Sequence, residues 1–155
     1  EGVALWVLRY RSVGWNGDGA EQIADARWAL GQAALELGGL PVVALGHSMG
    51  GRAACHVADD PHVRGVVALA PWLPPAEPVT ALAGRELHAA HGRRDHVTSA
   101  SDTRAYVERA RQVASAASFT DMGDRGHYLL RGVAAWNAFA LDRIRLVLAG
   151  ATPSA

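Results

Sequence analysis

Ser48, Asp95 and His127 are the residues whose types and order in this chain fit nucleophilic catalysis. A serine hydroxyl is a poor nucleophile near neutral pH. It needs a base within hydrogen-bond reach, and the base needs a group to orient it. Ser48 lies in Gly46-His47-Ser48-Met49-Gly50-Gly51. The apolar run Pro41-Val42-Val43-Ala44-Leu45 precedes it, and a helix-forming stretch beginning Arg52-Ala53-Ala54-Cys55 follows. Strand, Gly-x-Ser-x-Gly, helix is the order of a tight turn that strains its serine and lifts the hydroxyl clear of the strand. Gly46 and Gly50 read as the positions that let the chain fold back past itself. Met49 starts the helix, so its backbone N–H is a candidate donor to a developing oxyanion.

In a parallel sheet the acid and base belong on loops at the carboxyl ends of strands. Gly92-Arg93-Arg94-Asp95 leaves one such strand, and Gly123-Asp124-Arg125-Gly126-His127 leaves another. The chain order is Ser48, Asp95, His127. Asp102 is a rival acid but reads as capping or lining a helix start, and Asp124 sits on the wrong strand end. His91 and His96 flank the acid turn, and His47 lies in the elbow. Each reads as a loop or shell residue rather than the base, while His56 and His62 read as surface residues. Trp72 follows a strand and is a candidate pocket wall, with loop packing as its other reading; His47 is the second candidate pocket residue. The histidines lack metal-ligand spacing, so no metal site is assigned.

The elements that must position these residues follow from apolar spacing. Residues 2–8 form a near-continuous apolar run, expected as a strand buried on both faces. Residues 20–37 carry Ile23, Ala26, Leu30, Ala33, Ala34 and Leu37 at helical spacing and end at Gly38-Gly39. Further strands are expected over 40–45, 63–70, 86–91 and 116–122, and helices over 48–58, 101–113 and 133–148. The last helix carries Trp136, Ala140, Ile144 and Val147 on one stripe. In the helix at 101–113, Ala105, Val107, Ala110 and Val113 are the expected core contacts. Trp6, Trp136 and Cys55 are expected in the core. The four prolines between residues 71 and 84 mark a loop, with one short turn near 79–83. Alternating strands and helices with short loops predict a doubly wound, mostly parallel sheet.

The chain has 155 residues, enough for one domain with a substantial core. Fifteen basic and fifteen acidic side chains cancel, and no charge block invites nucleic acid or an anionic membrane. One cysteine excludes an internal disulfide. There is no apolar run long enough for a membrane span and no signal-peptide pattern, so a cytoplasmic protein is expected.

On these three motifs the chain resembles the α/β-hydrolase family. Gly46-His47-Ser48-Met49-Gly50-Gly51 looks like its nucleophile elbow, His91-Gly92-Arg93-Arg94-Asp95 like its acid turn, and Gly126-His127 like its histidine loop. The resemblance runs from residue 3 to about 148. It is closest to small bacterial esterase- or lipase-like members. It implies a three-layer α/β/α fold without a cap domain, because residues 71–78 are too few to hold one. It also implies an open pocket, a small-molecule ester-type substrate and no cofactor. Ser48 would attack the carbonyl, His127 would carry the proton, and Asp95 would hold the imidazole. The same triad serves amide and peptide hydrolases. Dehalogenases of this family use an aspartate where this chain has Ser48. The family has an earlier strand and a loop, often His-Gly, that supplies a second oxyanion N–H; no residue here matches it. The expectation is therefore a domain truncated at its N-terminus, with an exposed sheet edge open to self-association. A non-catalytic interaction module is the alternative.

Overall fold

Four strands and four helices organise the chain, in a computed structural model that describes residues 2–150. In chain order they are α1 (Ala20–Leu37), β1 (Val42–His47), α2 (Met49–His56), β2 (Val63–Leu69), β3 (Glu86–His91), α3 (Ala100–Ala110), β4 (Ala116–Asp121) and α4 (Val133–Gly150), with a 3₁₀ turn at Thr80–Leu82. The strands form one sheet in the order β1-β2-β3-β4, and every pair is parallel. All four carboxyl ends therefore face the same way.

Alternation along β2 and β3 splits the core into two layers. Val66, Ala68, Leu87 and Ala89 face α2 and α3, where they meet Cys55, Tyr106 and Val107. Val67, Leu69 and Ala90 face α4, where they meet Trp136 and Ala140. Gly65 lies so close to Val147 of α4 that a Cβ there would stand 3.0 Å from its side chain. Helices cover both faces, as a three-layer arrangement requires.

The expected strand over residues 2–8 does not form. Residues 2–10 have no regular structure, and Val3, Leu5 and Val7 are 65%, 81% and 85% exposed. Trp6, expected in the core, is 44% exposed. An apolar run favours burial, but a strand also needs a neighbouring edge to take its N–H and C=O groups. Here Arg11 ties the segment to α1 instead, with its backbone N–H 3.0 Å from Asp25 Oδ2. Among the described residues β1 consequently pairs on one side only, with β2. The helix expected over 101–113 ends at Ala110; of its expected contacts Val107 and Ala110 are buried, Ala105 faces solvent, and Val113 lies exposed in the turn beyond the helix.

Trp136 is 2% exposed and fills the layer beneath α4. Truncation there removes a large apolar volume that its neighbours cannot refill. Trp136→Ala is expected to destabilise the fold by about 3–5 kcal/mol. Leu141→Ala, at a site 52% exposed on the same helix, is expected to stay within about 0.5 kcal/mol of the parent. Urea unfolding of the two variants measures both.

Candidate active site

Ser48 caps the N-terminus of α2 with φ 54° and ψ −120°, a conformation a non-glycine residue adopts only under constraint. The constraint is visible on both sides. Ser48 N–H extends the sheet ladder to Leu69 O at 3.1 Å, and Ser48 O accepts from Trp72 N–H at 3.1 Å. Gly46 is needed because a Cβ there would lie 2.2 Å from the backbone of Gly50. Gly50 itself faces open space. The second close approach in the elbow belongs to Gly51, whose Cβ would meet Pro71 at 2.8 Å, so the expectation for Gly50 shifts one residue along. Met49 N–H belongs to the first turn of α2, where helical N–H groups have no intrahelical acceptor.

The acid turn and the histidine loop lock together across the sheet. Arg93 N–H donates to Gly123 O at 2.7 Å and Arg94 N–H to Arg125 O at 3.1 Å. Gly92 permits this approach, because a Cβ there would stand 2.1 Å from Arg125 O. The three predicted residues meet as a result. Ser48 Oγ is 3.0 Å from His127 Nε2, and His127 Nδ1 is 2.8 Å from Asp95 Oδ2. A carboxylate can only accept, so Nδ1 carries the proton and Nε2 presents its lone pair to the serine hydroxyl.

Asp95 is densely solvated by the protein. Its Oδ1 accepts the N–H groups of Val97 and Thr98, each at 2.8 Å. Its Oδ2 lies 2.9 Å from Thr98 Oγ1, 3.0 Å from His91 Nε2 and 2.8 Å from His127 Nδ1. Burial alone would raise the pKa of this carboxyl. The N–H of Thr98 and the other donors outweigh it and bring it down to about 2.

The remaining candidates have distinct places. His47 Nε2–H donates to His127 O at 2.8 Å, and the two rings lie 4.7 Å apart, so His47 ties the elbow to the histidine loop; it is not among the residues that line the groove beside Trp72. Burial, the largest effect on it, lowers the His47 pKa. Trp72 does line an open groove of about 590 Å³, together with Leu73, Pro74, Asp95, Thr98 and Ser99. Asp124 pairs with Arg94 at the surface, 3.1 Å away. Asp102 sits in the first turn of α3, its N–H donating to the capping Ser99 Oγ at 3.1 Å.

Two features were not legible in the sequence. Thr98 bridges the acid, the base and Ala70 O, and its only signal is a position three residues after Asp95. His56, expected at the surface, is half-buried against Glu77 at 2.5 Å. Glu77 also takes Arg52 Nε at 2.7 Å, and the Arg52 guanidinium lies between the rings of Trp15 and Trp72, 4.0 and 4.6 Å from their centres. That cluster pins the loop before α1 beside the groove. Among the described residues no three His, Cys, Asp or Glu side chains lie close enough together to hold a metal ion, and no helix is long and apolar enough to cross a membrane.

A family model described as the alpha/beta hydrolase family matches residues 1–154. This chain belongs to the α/β hydrolase family. No curated protein matches its sequence. Solved structures share the fold. A protein of unknown function from Agrobacterium tumefaciens superposes with a TM-score of 0.76 at 21% identity, over 91% of this chain and 68% of its own. An alpha-beta serine hydrolase homologue from Coxiella burnetii gives 0.63 at 17%, over 94% and 66%. The Bacillus cereus carboxylesterase gives 0.62 at 22%, over 85% and 67%. The chain thus spans about two thirds of the length of these three proteins.

The depressed Asp95 carboxyl makes folding stability depend on pH. A carboxyl lowered from 3.8 to about 2 on folding stabilises the native state above 3.8. That stabilisation is lost as pH falls through the interval toward 2. The unfolding free-energy difference between the parent and Asp95→Asn should therefore be largest above pH 3.8 and shrink below it. A difference that stays constant across that interval would contradict the assignment.

Proposed function

We propose that this chain is a serine hydrolase that cleaves carboxylic ester or thioester bonds through an acyl-enzyme on Ser48. The observation that carries the reading is the continuous path from Ser48 Oγ through His127 to Asp95, at 3.0 and 2.8 Å, with the serine on a strained turn. Ser48 Oγ attacks the substrate carbonyl carbon as its proton passes to His127 Nε2. Asp95 stabilises the imidazolium and holds its tautomer. Negative charge developing on the carbonyl oxygen falls near Met49 N–H at the start of α2. His127 then returns the proton to the departing alkoxide or thiolate, and the acyl group stays on Ser48. Water attacks the acyl-enzyme with His127 again as base, releasing the acid and free Ser48.

Esters and thioesters are favoured over amides because an alkoxide or thiolate leaves the tetrahedral intermediate more readily than an amine does; the groove beside Trp72 is open and mixed in character, with Thr98, Ser99, Ser101 and Asp102 beside Leu73 and Pro74. The structural likeness to the Bacillus cereus carboxylesterase points the same way. We place the non-reacting part of the substrate in this groove. Amide hydrolysis by the same triad is what an amide substrate panel would reveal.

Intact-mass labelling with a fluorophosphonate tests the reading. The parent should gain one adduct and Ser48→Ala none. Hydrolysis of p-nitrophenyl acetate should fall by about 10³-fold or more in Ser48→Ala and His127→Ala. A folded parent that takes no adduct would overturn the reading in favour of a non-catalytic member of the family.

A further inference from the structure

His91 sits at the end of β3, four residues before Asp95, with its side chain wholly buried. Both ring nitrogens are used. Nε2 is 3.0 Å from Asp95 Oδ2, and Nδ1 is 2.9 Å from Oγ1 of Thr103, which is itself buried on α3. The nitrogen that faces the carboxylate must carry a proton. Burial, the largest effect on this ring, holds it below the ordinary imidazole range although Asp95 acts in the opposite sense. The ring is therefore neutral and has only that proton. Nδ1 is left as an acceptor, and Thr103 O–H must turn toward it. Were the hydroxyl to donate to Ser99 O instead, 3.1 Å away, two lone pairs would face each other across 2.9 Å.

We propose that His91 is a positioning residue for Asp95, donating Nε2–H to the same carboxylate oxygen that receives His127, with Thr103 fixing its tautomer. The inference rests on the hydrolase reading and extends it by one residue beyond the triad. Two imidazoles on one oxygen stop the carboxylate from turning away from the base. The donation from His91 also draws charge from Oδ2, which moderates the hold of Asp95 on the His127 proton. A side chain present only to fill space would need neither tie. The titratable groups around His91 are Asp95 on its own turn and His127 on the loop after β4, and His47 on β1 acts through its contact with His127.

The test combines a spectroscopic and a kinetic readout on the full chain. Histidine ¹⁵N spectra at pH 7 should show His91 protonated at Nε2 and bare at Nδ1, and the opposite tautomer would overturn the proposal. Fluorophosphonate labelling rates should then be followed against pH for the parent, His91→Phe and His91→Gln. His91→Phe should label about tenfold more slowly at neutral pH. Its acid limb should move up by about half a pH unit, because a less solvated Oδ2 holds the base's proton more strongly. His91→Gln, which keeps an N–H near the position of Nε2, should recover most of the rate. Should His91→Phe fail to fold, Thr103→Val is expected to give a smaller change of the same sign. Variants whose rate and limb match the parent's would overturn the role of His91. A parent that does not label at all would sink the hydrolase reading, and the tautomer spectrum would still decide His91.

Discussion

A buried carboxylate is tolerable only when the protein replaces the water it has lost. Asp95 achieves this with donors drawn from three places: its own turn, the end of β3 and the loop after β4. The charge therefore does more than orient one imidazole. It makes the acid turn, the histidine loop and the end of β3 mutually dependent, because removing any one leaves a buried charge short of a partner. The low carboxyl pKa is the same fact expressed as proton affinity. The site's geometry is held less by its three reactive side chains than by what surrounds this one oxygen pair.

The parallel sheet makes that convergence available. With all four strands pointing one way, the loops after β1, β2, β3 and β4 open on one edge. Among the described residues, three non-glycine residues have positive φ: Ser48, Ala70 and Leu129. Ser48 and Ala70 directly follow the ends of β1 and β2, and Leu129 lies two residues after His127 in the loop between β4 and α4. Ala70 O lies 3.2 Å from Thr98 Oγ1, and Trp72 N–H donates to Ser48 O, so the turn after β2 packs against both the acid turn and the nucleophile. Strain of this kind, of order 1–3 kcal/mol per residue, persists only where neighbouring contacts over-determine the backbone. Here those contacts are the close glycine approaches at Gly46, Gly51 and Gly92.

Away from that edge the fold is conventional in its energetics. Small apolar residues on both faces of β2 and β3 let α2, α3 and α4 approach closely, and Tyr106 and Trp136 fill the volume between them. β1 and β4, the two ends of the sheet, differ: each pairs on one side among the described residues, and most of its residues are only half-buried. Leu45, apolar like its neighbours in the run, is 44% exposed.

Local pattern determined most of the element order. Helical spacing marked α1 and α4, apolar runs marked β1 to β3, and the elbow, the acid turn and Gly126-His127 marked the positions of Ser48, Asp95 and His127. These signals are local because glycine placement, strand ends and apolar period are properties of a few adjacent residues. What tertiary structure alone decided is who meets whom. Residues 2–8 carry the composition of a strand, yet no edge receives them, and composition cannot report a partner. His91 reads as one more loop histidine until the end of β3 and α3 close around it from Asp95 and Thr103. His56 reads as surface until Glu77, 21 residues later, comes within 2.5 Å. A sequence states what each side chain can donate, accept or bury; only the packed chain assigns the partner, because that assignment depends on contacts between residues distant along it.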